Sequence, residues 1–146
     1  MSMFQPLNIS SSALTTQRLK MDIISANIAN ATTTRGKMVD GEWVPYRRKM
    51  VEVQAAGGQP FSQFLSREME AGGVKATRIV EDETPFQPVY DPTHPDTNNE
   101  GYVMMPNVDI TKEMVDLMSA SRTYEANVTA FNVGKSMSLK ALEIGK

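Results

Sequence analysis

The sequence predicts an α+β protein in which two long terminal helices, forming a coiled-coil-like core, bracket a small β-rich domain and an extended proline-rich loop. Three observations carry that prediction. Seven of the eight prolines and seven of the nine glycines lie between Gly36 and Pro106, which leaves both ends nearly free of helix breakers. Apolar residues recur every seven positions at each end. Two short alternating stretches stand between them, bounded by proline and glycine. The expected division is therefore residues 1–34 and 107–146 as terminal helices and 35–106 as the middle domain, with the loop over 81–101.

In the first segment Leu7, Leu14, Met21 and Ile28 form a heptad column, and Ile24 and Ala31 take the companion core positions. Asn8 or one of Ser10 to Ser12 is the expected N-cap, and the β-branched run Thr32 to Thr34 before Gly36 marks the end. Between the helices, Tyr46 to Ala55 and Val74 to Val80 read as strands. From Glu81 to Gly101 come Pro85, Pro88, Pro92 and Pro95, too dense a set of breakers for a regular element, so a surface loop or extended arm is expected there.

The last segment is the more regular. Ile110, Leu117, Tyr124 and Phe131 repeat at seven, with Met114, Ser121, Val128 and Leu142 four residues after a column position. Asp109 is placed to cap a helix from about Ile110 to Ile144, and no proline follows Asn107. Gly134 sits inside it at a cost of about 1 kcal/mol relative to alanine.

Composition excludes several classes of function. A net charge of -2 and a single weak basic cluster, Arg47 to Lys49, give no footprint for nucleic acid; the cluster could touch an acidic neighbour but reads rather as the wet face of a strand. With no cysteine there is no disulfide, thiolate nucleophile or cysteine-ligated zinc. No apolar run approaches the roughly 18 residues of a membrane span, and the first apolar residues are too interrupted for a secretory signal. No cofactor motif survives inspection: Gly134-Lys135-Ser136 has the tail of a phosphate loop, but Thr129 stands where the motif needs glycine. The lone histidine, His94, lies between Asp91 and Asp96, which offers a metal-site or acid–base alternative. Pro92 and Pro95 favour the other reading, a structural turn in which the aspartates bond nearby amides.

The apolar knobs of the first helix are too few to repay the ordering of that helix alone, which is the profile of a chain completed by neighbours. The stretch LTTQRLKMDIISANIANATTT from Leu14 to Thr34 resembles the N-terminal signature of flagellar rod and hook proteins. VYDPTHPDTNNEGYVMMPNVD from Val89 to Asp109 and EMVDLMSASRTYEANVTAF from Glu113 to Phe131 resemble the proximal-rod FlgC family in particular. That resemblance implies a non-enzymatic structural subunit that packs its terminal helices into a hollow drive shaft. Its partners would be copies of itself and other rod proteins. It also implies passage through the flagellar type III export apparatus, without a cleaved signal, to a basal body outside the inner membrane. The packing positions so implied are Leu7, Leu14, Met21, Ile24, Asn27, Ile28 and Asn30, then Ile110, Met114, Leu117, Tyr124, Val128, Phe131 and Leu142. Asn27 and Asn30 match the family's paired asparagines, and a buried asparagine can fix helix register. Tyr90, Asp91, Pro92, His94, Pro95 and Asp96 form the expected loop contact.

Overall fold

An apolar heptad pattern with no breaker after Pro6 and a first glycine only at Gly36 gives the first element, α1, Gln5–Ala29, although its Ser, Thr and Asn residues are only modest helix formers. The computed structural model describes residues 5–55 and 73–144. After α1 come β1 (Lys37–Val39), β2 (Glu42–Val44), β3 (Lys49–Ala55), β4 (Val74–Glu81), β5 (Gln87–Tyr90) and β6 (Tyr102–Met105), and finally α2 (Ile110–Ile144). The strands pair as β1–β2, β3–β4 and β5–β6, so the protein is α+β.

The helix α1 begins upstream of the expected caps, since Pro6 fits the first turn, where its missing N–H has no partner to lose. Asn30 closes its end: the Asn30 amide and its side-chain Nδ2 both donate to the Ala26 carbonyl, at 3.1 and 2.8 Å. For α2 the expected start and cap hold. The Asp109 carboxylate accepts from the Thr111 and Lys112 amides at 2.9 and 3.2 Å, satisfying two of the free donors of the first turn.

Two features depart from the expected middle. The segment after Glu81 is not continuous loop, because Gln87–Tyr90 forms β5 against β6 with Pro88 opposite Met104 and Tyr90 opposite Tyr102. Proline is tolerated there since a two-stranded sheet consists only of edges, where a missing N–H leaves no ladder gap. The second departure is the hairpin β1–β2, with Met38 opposite Trp43 and Val39 opposite Glu42. Its two-residue turn is Asp40-Gly41, both at positive φ, 50° and 89°, the geometry that matches strand twist. Gly36 anchors its base: a Cβ there would lie 2.6 Å from the Tyr46 nitrogen, so only glycine lets the two backbones meet.

The contacts resolve into two compact units. One takes the described parts of Met1–Met21, Val51–Arg78 and Ser119–Lys146; the other takes Asp22–Met50 and Ile79–Met118. Each therefore owns a stretch of both helices and of the β3–β4 pair. In the first unit Ser12 ties α1 to β4: its hydroxyl accepts from the Val74 amide at 3.1 Å and donates to the Ile9 carbonyl at 2.7 Å. Leu7 of the same unit lies against Gly134, 3.4 Å from where a Cβ would stand, which is ordinary contact. Gly134→Ala should therefore raise stability by about 0.5–1 kcal/mol through helix propensity alone. Chemical denaturation checks this, and a loss of stability would mean that α1 approaches more closely than 3.4 Å implies.

Candidate functional site

A buried polar cluster organises the second unit. Asn27, in the last turns of α1, is 1% exposed, and its amide group fills both donor and both acceptor capacities. Nδ2 donates to the Lys49 carbonyl at 2.9 Å and to Glu113 Oε2 at 3.0 Å. Oδ1 accepts from the Lys49 amide at 2.9 Å and the Tyr46 hydroxyl at 3.0 Å. Glu113, 0% exposed in the first turn of α2, also accepts from Arg48 Nε at 2.7 Å. The guanidinium reaches on to Asp82 at 3.4 Å. Asn107, just before α2, completes the cluster by accepting from the Arg48 amide at 2.8 Å and donating to the Thr84 hydroxyl at 2.8 Å. A buried carboxylate is costly unless paired and bonded, and Glu113 has both forms of support.

This arrangement corrects the reading of Arg47 to Lys49 as a solvated strand face. Arg48 turns inward, with a side chain only 15% exposed, while Arg47 stacks on Phe86 with its Cζ 4.9 Å from the ring centroid.

The electrostatics give the unit a definite pH response. The Thr84 amide and hydroxyl, then Arg48, hold the Asp82 carboxyl below its ordinary range, and the Thr93 hydroxyl and amide do the same for Asp91. Burial, then Glu113 and Glu81, push the Tyr46 phenol up. A carboxylate with a depressed folded pKa stabilises above its unfolded pKa and loses that contribution as pH falls through the folded value. A raised phenol stabilises below its unfolded pKa and loses its contribution as pH rises through the folded one. Stability should thus be level between about pH 5 and 9 and fall on both sides. Thermal denaturation carried beyond that range on both sides checks it, and Asp82→Asn should flatten the acid limb.

The residues expected to pack fall into three groups by exposure. Ile24 and Asn27 are buried; Leu7, Leu14, Met21, Ile28 and Asn30 are half-buried, as are Leu117, Tyr124, Val128 and Phe131; Ile110, Met114 and Leu142 are exposed. On α1 the residues most covered within the chain are Asn27, Ile24, Thr16 and Ile23. At 100° per residue Thr16, Ile23 and Asn27 lie on roughly the opposite side from the Leu7–Ile28 column, with Ile24 between the two. On α2 the covered face runs through Glu113, Leu117, Ala120, Tyr124 and Phe131.

The turn from Asp91 to Asp96 has its carboxylates committed. Asp91 Oδ1 accepts from the Thr93 amide at 3.0 Å and hydroxyl at 2.7 Å. Asp96 accepts from Arg35 Nε and the Thr34 hydroxyl, each at 2.7 Å. His94 Nδ1 accepts from the Asp96 amide at 3.1 Å. The groups that suggested metal or acid–base chemistry are used to shape the turn, and that alternative has no support here. Tyr90 stacks edge-on against Tyr102 at 5.3 Å between centroids, while Pro92 and Pro95 are exposed.

Comparison with known proteins follows these elements closely. Residues 7–36, spanning α1 and the turn after it, match the profile described as "Flagella basal body rod protein". Residues 99–144, spanning β6 and α2, match "Flagellar basal body rod FlgEFG protein C-terminal". The flagellar basal-body rod protein FlgC of Bacillus subtilis is 58% identical to this chain over the full length of both. The chain belongs to the FlgC family of flagellar basal-body rod proteins. The FlgC proteins of Borreliella burgdorferi and Salmonella typhimurium are 42% and 40% identical, covering 99% and 100% of this chain and 98% and 100% of their own lengths. Within this FlgC-family chain, Tyr46, Asp82, Asn107 and Glu113 escaped sequence reasoning, and for Arg48 the acidic contact was only the lesser reading of its cluster. One signal was available: Glu113 is a charge in the i, i+4, i+7 stripe of Leu117 and Ala120, where an apolar residue is expected.

Proposed function

We propose that the chain is a structural, non-catalytic subunit of the bacterial flagellar rod, joining copies of itself and other rod proteins through faces of its two long helices. The observation that carries this is the apolar surface left uncovered on α2. Ile110, Met114, Val115 and Met118, then Val133, Met137, Leu139 and Leu142, are each at least two-fifths exposed. A monomer gains nothing from so many exposed apolar side chains on one helix, and such exposure marks places where another protein sits. The half-buried Leu7–Ile28 column of α1 supplies a second partly open seam of coiled-coil spacing. In this reading the Asn27–Glu113 cluster keeps each subunit rigid, and the Tyr90–Asp96 turn is a preorganised contact with an adjacent subunit. Family membership supports the place of assembly, the basal body beyond the inner membrane, with flagellar type III export as the route. Among the described residues no helix is long and apolar enough to cross a membrane.

The test is removal of the chain from the cell. Basal bodies isolated from unaltered cells should contain it, and cells lacking it should be non-motile with rods that stop short. Complete rods in its absence would refute the assignment.

A further inference from the structure

His94 is the chain's only histidine, and its bonds depend on its charge. Its side chain is 28% exposed, and Nδ1 accepts from the Asp96 backbone amide at 3.1 Å. A ring nitrogen that accepts carries no proton, so the neutral ring holds its single proton on Nε2. The same Nδ1 stands 4.0 Å from Asp96 Oδ2. Asp96 therefore offers the ring both a donor, its amide, and an acceptor, its carboxylate. The charge on His94 decides which of them fits.

Protonation puts an N–H on Nδ1, facing the Asp96 N–H at a distance where two donors repel. The carboxylate is a small tilt of the ring away and has capacity to spare. Oδ1 accepts from Arg35 Nε and Oδ2 from the Thr34 hydroxyl, each at 2.7 Å, which leaves a lone pair on Oδ2. The charges facing the ring come from two elements: Asp91 and Asp96 of the turn itself, and Arg35 after α1, which reaches Asp96. The Thr93 hydroxyl and amide hold Asp91 below the ordinary carboxylate range, and Arg35 and then Thr34 do so for Asp96. Both carboxylates thus stay ionised while the ring gains its proton. The rest of the turn is tied separately, since the Thr97 hydroxyl lies 2.6 Å from both the Asp91 and the His94 carbonyls.

We propose that the Asp91–Asp96 turn is a proton-driven switch in which His94 exchanges the Asp96 backbone amide for the Asp96 carboxylate. At neutral pH the amide is closed against the ring. In mild acid the amide is released to water, and the carboxylate that holds Thr34 and Arg35 gains His94 as a third donor. The exchange trades one hydrogen bond for one charged contact, so it reshapes the turn without unfolding the unit that carries it. Its consequence rests on the reading of this turn as a subunit contact: the contact edge differs between neutral and mildly acidic surroundings.

A single histidine gives a single set of ring signals, so nuclear magnetic resonance on the full chain follows His94 and the Asp96 amide together. Histidine side chains change charge between about pH 5 and 8, and over that range the two signals should move on one curve. The protection of the Asp96 amide against hydrogen exchange should fall about tenfold, the loss of one hydrogen bond. The Thr97 amide, bonded to the His94 carbonyl at 3.2 Å, should keep its protection. His94→Asn is the control, because an asparagine carbonyl also accepts from the amide two residues on and takes up no proton. Its Asp96 amide should stay protected throughout. An Asp96 amide that stays closed while the ring of the unsubstituted chain gains its proton would overturn the switch, whether or not the variant folds. Equal loss of protection in His94→Asn would overturn it too. Rod assembly does not enter this measurement, so a negative result leaves the rod assignment standing, and absence of the chain from basal bodies leaves the switch standing.

Discussion

Glu113→Ala is expected to cost the folded chain about 3–5 kcal/mol, because it strands a buried guanidinium and a buried amide at once. Arg48 would keep only the longer approaches to Asp82 at 3.4 Å and Asp116 at 3.8 Å, and Asn27 Nδ2 would lose one of its two acceptors. Against a typical total of about 5–15 kcal/mol, that loss approaches unfolding. Urea denaturation of the purified chain measures it. Replacing both partners, Glu113→Leu with Arg48→Met, should cost less than Glu113→Ala alone, since no charge is then left unpaired. A single-variant loss below about 1 kcal/mol would show that the cluster is solvated rather than sealed.

Val128→Asp should abolish rod assembly, whereas Thr123→Asp five positions earlier should leave it nearly normal. Val128 is half-buried on the covered side of α2, where a carboxylate would lose hydration without gaining a partner, a defect of several kcal/mol. Thr123 is exposed and its hydroxyl turns back onto the Ser119 carbonyl at 2.8 Å, so a charge there points into water. Fractionated cells scored for each variant in rods and in the soluble pool give the comparison. Equal incorporation of the two would show that the covered Leu117–Phe131 face need not stay apolar for the subunit to pack and assemble.

The terminal helices were legible because their information is local. Periodicity, a capping aspartate and the absence of breakers all act within a few residues, and α2 starts where Asp109 says it should. The hairpin was equally local and still passed unread, although Asp40-Gly41 between short β-prone runs is among the strongest hairpin signals. The prolines of 81–101 misled in the other direction, since breaker density argues against a strand only where both of its edges must bond. What no local pattern could supply was the polar cluster. Asn27 stood out as an asparagine able to fix register, but its partner Glu113 lies 86 positions away. Strand alternation likewise cannot tell Arg48, turned inward, from a basic neighbour turned out.

One detail of Asn27 has a mechanical meaning. Its side-chain amide bonds both the N–H and the carbonyl of Lys49, as the peptide group of an adjoining strand would. The helix is thereby keyed to the start of β3 by a tooth of fixed length. Sliding α1 by a single residue, 1.5 Å along its axis with a 100° turn, would withdraw that tooth and break its four bonds together. Under torsional load such a joint does not creep: it holds its setting up to a threshold and then fails all at once, which makes the subunit behave as a stiff link rather than a spring.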